Sequence, residues 1–167
     1  MTSFRAVLID FDDDLFPPPD WVADRLAGAG ITWDAGQHRT PEAVLEAARE
    51  ADVVVLQSVR PLLPGAILDQ LARCLCIARL GIGYDNVDIA TATEQGILVC
   101  NAPTYCVDDV ADHSVALLLG AVRHIARQDR WIRGGRWDRT GARPARRVKG
   151  CTLGLVGFGR IAQAVSQ

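Results

Sequence analysis

Over residues 1–101, short unbroken apolar runs alternate with segments of helical spacing, and this alternation leaves few folds open. The runs are 4–10 (FRAVLID), the weaker 31–34, 52–57 (DVVVLQ), 74–80 and 97–101. None has the period-two alternation of a half-solvated strand. An unbroken run is how a strand reads when helices cover both its faces, as in a parallel sheet. The connecting segments are helical. One runs from Pro19-Asp20 through Ala29, with Trp21, Val22, Leu26 and Ala29 on one face and Gly30 as its stop. Thr40 is an N-cap and Pro41 a first helical residue for a helix over 41–50. Helices over 64–71 and 87–95 complete the set, and Gly96 ends the last. The pattern predicts one complete doubly wound α/β domain. Ligands of such sheets sit outside the carboxyl ends of the strands. Those ends are 10–14, 57–60, 80–85 and 101–104.

A different kind of segment follows. Between 107 and 133 Gly120 is the sole glycine and there is no proline; Val110, Ser114, Leu117, Leu118, Ala121 and Ile125 recur at three and four. This predicts a single helix of roughly 25 residues, about 38 Å long, long enough to leave one domain and enter another. Gly134-Gly135 ends it. Residues 136–149 carry six basic side chains (Arg136, Arg139, Arg143, Arg146, Arg147, Lys149) against Asp138. Aromatic interleaving stops at Trp137 and no nucleic-acid fold surrounds the segment, which favours a solvated linker over a nucleic-acid strip. A strand over 151–156 is then expected, followed by Gly157-Phe158-Gly159-Arg160-Ile161-Ala162 and a helix running to Gln167.

A Gly-x-Gly-x-x-Ala turn between strand and helix has a specific physics. Gly157 permits the tight turn, Gly159 lets backbone approach a pyrophosphate, and Ala162 allows close packing. Phosphates then sit on the free N–H groups at the helix start. A plain tight turn is the alternative, and the glycines by themselves leave it open.

Composition narrows the function classes. With 49% hydrophobic and 23% charged residues the chain buries enough apolar surface to fold. A net charge of -2 asks for no nucleic-acid or membrane partner. No apolar run approaches the roughly 18 residues of a membrane span. Acids interrupt the N-terminal run after Ile9, which argues against a signal peptide and for the cytoplasm. The cysteines (Cys74, Cys76, Cys100, Cys106, Cys151) are odd in number and form no Cys-x-x-Cys, as expected of free thiols in a reducing compartment.

Three blocks in order, 78–88 (ARLGIGYDNVD), 96–120 (GILVCNAPTYCVDDVADHSVALLLG) and 150–165 (GCTLGLVGFGRIAQAV), resemble the D-isomer-specific 2-hydroxyacid dehydrogenase family, near its C-terminal-binding-protein-like branch. The resemblance implies a flavodoxin-like substrate domain over 1–101. Residues 102–167 would then be a crossover helix, a linker and the start of a Rossmann NAD-binding domain. It implies NAD as cofactor, with NADP as the alternative, and a small 2-keto or D-2-hydroxy acid as substrate. A homodimer of the full-length protein is implied too, with the long helix in the interface. By the same resemblance the backbone amides of Ile82 and Gly83 hold the substrate carboxylate. Two successive N–H groups in a glycine-rich turn form an anion-binding nest. Arg79 would add positive charge, or else form a strand-end salt bridge. Ile82 and Val110 match positions beside the nicotinamide, and Gly157, Gly159, Arg160 and Ile161 match the pyrophosphate turn. Gln57 and Ser58 match a substrate-facing loop weakly.

The family's catalytic arginine, glutamate and proton-donating histidine match nothing here. His38, His113 and His124 do not correspond to that histidine, so no catalytic residue is assigned. The 167 residues are expected to be part of a longer protein and to be inactive alone.

Two rival readings fit parts of the sequence. Residues 6–14 (AVLIDFDDD) resemble the opening motif of haloacid-dehalogenase-type phosphatases. The Gly-Thr of that motif is replaced by Asp13-Asp14, and the sole lysine, Lys149, follows no suitable pattern. A solvated loop after the first strand accounts for the acids better. The second rival is a non-catalytic, NAD(H)-sensing corepressor-like protein on the same fold. The downstream arginine, glutamate and histidine discriminate it from an enzyme.

Overall fold

The computed structural model describes residues 4–11, 18–138 and 145–167. The chain divides into two compact units, Met1–Tyr105 and Cys106–Gln167.

The first unit is a five-stranded sheet, every neighbouring pair parallel, with connecting helices. In chain order its elements are β1 (Phe4–Ile9), α1 (Asp20–Gly28), β2 (Ile31–Gly36), α2 (Pro41–Ala48), β3 (Val53–Leu56), α3 (Gly65–Leu68), β4 (Cys76–Arg79), α4 (Ile89–Glu94) and β5 (Leu98–Asn101). The strand order is β2-β1-β3-β4-β5. That is the flavodoxin-like order, whose direction of winding reverses between β1 and β3. Ala6, Val7, Leu8 and Ile9 on β1 are all buried, although successive side chains point to opposite faces. Burial on both faces is why this strand reads as an unbroken apolar run. Val54, Leu56 and Ile77 continue the core, and Val44, Ala48, Leu63 and Leu68 cover it. The edge strands β2 and β5 alternate between half-buried and exposed residues.

Register aligns the strand ends. Ile9 pairs with Gly36 and Leu56, Leu56 with Arg79, and Arg79 with Asn101. The chain therefore emerges from all five strands along one edge, at Asp10, Gln37, Gln57, Leu80 and Ala102.

At the opposite edge Asp52 is buried, accepting from the Arg5 N–H at 2.8 Å and from Arg73 Nη2 at 3.0 Å. The Arg5 amide above all, and Arg73 with it, hold its carboxyl below the usual range against the opposing effect of burial. Thr40 caps α2 through the Ala43 N–H, as its sequence position predicts. Asp88 caps α4 through the Thr91 N–H, which lowers its carboxyl from the usual range.

The second unit contains α5 (Val107–Val122), α6 (Ile125–Arg133) and α7 (Arg160–Val165), with α7 packed on α5. The single helix expected over 107–133 is thus two. His124 has φ +58, a left-handed conformation in which His is several-fold enriched over most residues. The His124 N–H closes α5 on the Ala121 carbonyl, and the Gln128 side-chain amide takes the released Arg123 carbonyl at 2.9 Å. Apolar spacing persists across the break because the helices on either side each keep it.

The strand expected over 151–156 is also not formed. A strand needs a neighbour for its ladder of hydrogen bonds, and no described residue pairs with this segment, whose residues are all exposed. Arg139 and Arg143 of the basic linker and Asp12–Asp14 of the first loop lie outside the described residues. No helix among the described residues is long and apolar enough to cross a membrane.

Candidate functional site

The carboxyl edge of the sheet holds a cavity of about 530 Å³, lined by Asp10, Arg39, Gln57, Arg60, Arg79 and Tyr105 among others. It lies beyond the ends of β1 and β3, where the direction of winding reverses and such sheets bind ligands.

Each charged side chain arrives from a different strand end. Asp10 follows β1 with φ +47, its N–H donating to the Gly36 carbonyl at 2.9 Å. Its side chain is 8% exposed, and both oxygens are engaged: Arg39 Nε lies 3.2 Å from Oδ1 and Arg60 Nε 3.5 Å from Oδ2. Arg39 comes from the loop after β2, and Arg60 from the turn after β3, where its N–H donates to Ser58 Oγ at 3.0 Å. The solvated-loop account of the acids is therefore wrong for Asp10, which is buried between two guanidiniums.

Arg79 ends β4. Its Nη1 donates to the Gln57 carbonyl at 3.2 Å, while its Nε is buried with no partner among the described residues. No carboxylate pairs with it among those residues, so the strand-end salt bridge weighed from sequence is not formed. The guanidinium lies over Gly81: a Cβ there would sit 2.5 Å from Arg79 Nη1.

The following turn is pinned from β5. Asn101 Nδ2 donates to the Ile82 carbonyl at 2.7 Å, and the Ala102 N–H to the Gly81 carbonyl at 3.0 Å. The Ile82 and Gly83 N–H groups donate to no acceptor among the described residues. Two donors are thus available, but no residue of the turn has positive φ, so the alternation of hand that defines a nest is missing. Ile82 and Gly83 lie outside the cavity lining, which Arg79, Gln57 and Ser58 share.

The remaining residues singled out from sequence belong to the second unit. Val110 is on α5, 38% exposed. Gly157 has φ +84, which requires glycine, and Gly159 is the N-cap of α7, with Arg160 and Ile161 in its first turn. A Cβ at Gly157 or Gly159 would meet nothing within 4 Å, so the backbone of this turn is open to a group as large as a pyrophosphate. The residues present fit a dinucleotide's phosphates in that respect. Among the described residues no three metal-ligating side chains gather.

Residues 22–163 match the family described as D-isomer specific 2-hydroxyacid dehydrogenase, catalytic domain. The chain belongs to this family. Among curated relatives, a glyoxylate reductase of Pyrococcus furiosus is 33% identical over 141 residues, covering 81% of this chain and 42% of that protein. A D-3-phosphoglycerate dehydrogenase of Mycobacterium leprae is 36% identical over 154 residues, covering 87% and 28%. A solved NADPH-dependent glyoxylate/hydroxypyruvate reductase of Sinorhizobium meliloti, in complex with NADP and malonate, is 28% identical with a TM-score of 0.76; the match covers 99% of this chain and 49% of that one. The chain spans less than half the length of these 2-hydroxyacid dehydrogenase relatives.

Sequence reasoning reached Gln57, Ser58 and Arg79 but missed Asp10, Arg39 and Tyr105 as site residues. Asp10 and Arg60 do fall in the strand-end ranges where ligands were expected. Arg39 carries no local signal, because its partner lies 29 residues away.

Proposed function

We propose that this chain is the substrate-binding face and the opening of the nucleotide-binding region of an NAD-linked D-2-hydroxyacid dehydrogenase. The full-length protein would interconvert small 2-keto and D-2-hydroxy acids, with NADP as the alternative cofactor. Residues 1–101 form the substrate domain, and 102–167 the crossover segment, linker and first cofactor-binding turn.

The observation that carries the proposal is at the end of β4. Two backbone N–H groups without acceptors, at Ile82 and Gly83, follow an arginine whose Nε is buried without a partner. The buried Arg79 Nε is costly until an anion satisfies it, and the N–H groups of half-buried Ile82 and exposed Gly83 are open to the same anion. A carboxylate, acceptor-only and planar, matches such donors. Arg79, Ile82 and Gly83 bind the substrate carboxylate. Ile82 in the first unit, and Val110, Gly157, Gly159, Arg160 and Ile161 in the second, are each assigned to the cofactor. NAD(H) supplies or accepts the hydride. This chain's own residues bind and orient; none is assigned as acid or base, so the 167 residues alone turn over no substrate.

The relatives named as reductases and dehydrogenases support catalysis over the non-catalytic NAD(H)-sensing role of the C-terminal-binding-protein-like branch. Five free thiols support a reducing, cytoplasmic location. A homodimer of the full-length protein belongs to this proposal on the family resemblance.

The activity is tested on native protein purified from its source, by loss of NADH or NADPH absorbance with glyoxylate, pyruvate or hydroxypyruvate. Oxidation that depends on the keto acid is expected. Its absence with all three acids and both cofactors overturns the assignment.

A further inference from the structure

Among the described residues, the cavity at the β1/β3 switch point carries more positive charge than one small carboxylate needs. Its described lining holds three guanidiniums, Arg39, Arg60 and Arg79, against the single carboxylate of Asp10. We propose that Arg39 and Arg60, held by Asp10, form a subsite for a second anionic group, so that the preferred substrate is a 2-hydroxy or 2-keto acid bearing a further carboxylate or phosphate. This rests on the dehydrogenase assignment above and extends it to the substrate's side group.

The division of labour within each guanidinium is the main support. Both arginines meet Asp10 through Nε, at 3.2 and 3.5 Å. The Nη groups of both make no hydrogen bond among the described residues, and the side chains are 50% and 56% exposed. The Nε hydrogen bond of Arg39 fixes the plane of its guanidinium, Arg60 is held by an ion pair alone, and both leave their terminal forks for a carboxylate or phosphate. Both Asp10 oxygens are occupied by these anchors, so Asp10 is a positioning residue and not itself a ligand.

Size points the same way. The cavity is about 530 Å³. A glyoxylate ion, taken as a few groups of about 30 Å³ each, fills on the order of 100 Å³. A glyoxylate-sized substrate leaves the Arg39 and Arg60 end of the cavity to water. A second anionic group on the side chain of the substrate reaches it. The other explanation is that the Asp10 cluster merely ties the loops after β1, β2 and β3 together. It predicts loss of stability on substitution, with no change in selectivity.

Calorimetric titration of the native full-length protein with three stable 2-hydroxy acids separates the two. The probes are glycolate (one carboxylate), D-malate (a second carboxylate) and D-3-phosphoglycerate (a phosphate). Either or both doubly charged acids should bind at least about ten-fold tighter than glycolate, and the tighter of the two identifies the second group. Arg39→Gln and Arg60→Gln lie on half-exposed side chains and should leave the chain folded. Each should abolish most of the preference for the doubly charged acid. Equal affinity for the three acids, a preference that survives both substitutions, or no binding of any acid overturns the subsite. Keto-acid reduction by the native protein is scored separately, so a dehydrogenase without this subsite is recognised as such.

Discussion

Gly81→Ala separates binding from stability at Arg79. Gly81 does not lie in the left-handed region, so its backbone accepts an alanine without strain. The new methyl would instead lie 2.5 Å from Arg79 Nη1 and 2.8 Å from its Cζ. Both are flexible side-chain atoms, so the guanidinium moves and the turn does not. Movement breaks the 3.2 Å bond to the Gln57 carbonyl, a loss of about 1 kcal/mol. Against this, Gly→Ala at a compatible site stabilises by about 0.4–1 kcal/mol through the unfolded chain. The net change in stability is therefore within about 1 kcal/mol, or less than about 4 °C in Tm for a chain of this size. Binding behaves differently, because a displaced Arg79 no longer donates to the substrate carboxylate. A charge-assisted hydrogen bond is worth about 1.5–3 kcal/mol, roughly 10- to 100-fold in Kd. Urea unfolding and calorimetric titration with glycolate measure the two quantities on the same sample, with Arg79→Ala as reference. Unchanged affinity in Gly81→Ala, or a stability loss above about 2 kcal/mol, would refute the idea that Arg79 is held over Gly81 for binding.

Three further outcomes follow from the packing and the buried groups. Leu56→Ala, at a fully buried position of β3, should lower unfolding free energy by about 2–5 kcal/mol in urea; a loss under 1 kcal/mol contradicts the assigned core. Asp52 has a lowered folded-state pKa, so its contribution is present above the ordinary carboxylate range and is lost as pH falls through the folded value. Asp52→Asn should therefore flatten the loss of stability below about pH 4, and an unchanged acid limb in urea titrations counts against it. Burial pushes the Cys74 thiol up to about 11, so at mildly alkaline pH a disulfide reagent should label exposed Cys100 and Cys151 first and Cys74 only on unfolding; mass mapping of the labelled peptides decides it.

How much was legible in the sequence depended on how local the signal was. The runs at 4–10 and 52–57 announce buried parallel strands because Ala6–Ile9 and Val54 and Leu56 are covered by helices. Thr40 caps its helix through a neighbour three residues on, so its role lies within one short window, whereas Asp88 caps a helix that starts two residues later than the 87–95 expected. The break at His124 was not legible, since it depends on one backbone angle and on a Gln128 side chain replacing a helical donor. Residues 151–156 carry a strand's composition, but pairing partners are supplied by other segments and not by the run itself. The pocket was half legible. Strand ends locate it, yet Asp10, Arg39 and Arg60 meet only because three strands end in register.

Asp10 shows why that meeting is better explained by binding than by stability. A left-handed backbone costs most non-glycine residues about 1–2 kcal/mol, and Asp less, because its short side chain bonds locally. The N–H bond to the Gly36 carbonyl returns about 0.5–1.5 kcal/mol. Ion pairs with half-exposed arginines add about 0–1 kcal/mol each after solvent screening. These contributions roughly cancel, so the cluster contributes little to the fold's stability. Asp10→Gly relieves the backbone, removes both anchors and adds about 0.5–1 kcal/mol of unfolded-state entropy. Its unfolding free energy should stay within about 1 kcal/mol of the parent in urea, while the preference for a doubly charged acid falls as it does in Arg60→Gln. A large loss of stability with that preference intact would mean that the carboxylate serves the loops and not the ligand. A charged cluster held in the cavity lining for little gain in stability is what a preorganised anion subsite requires, because the guanidiniums must be in place before the ligand arrives.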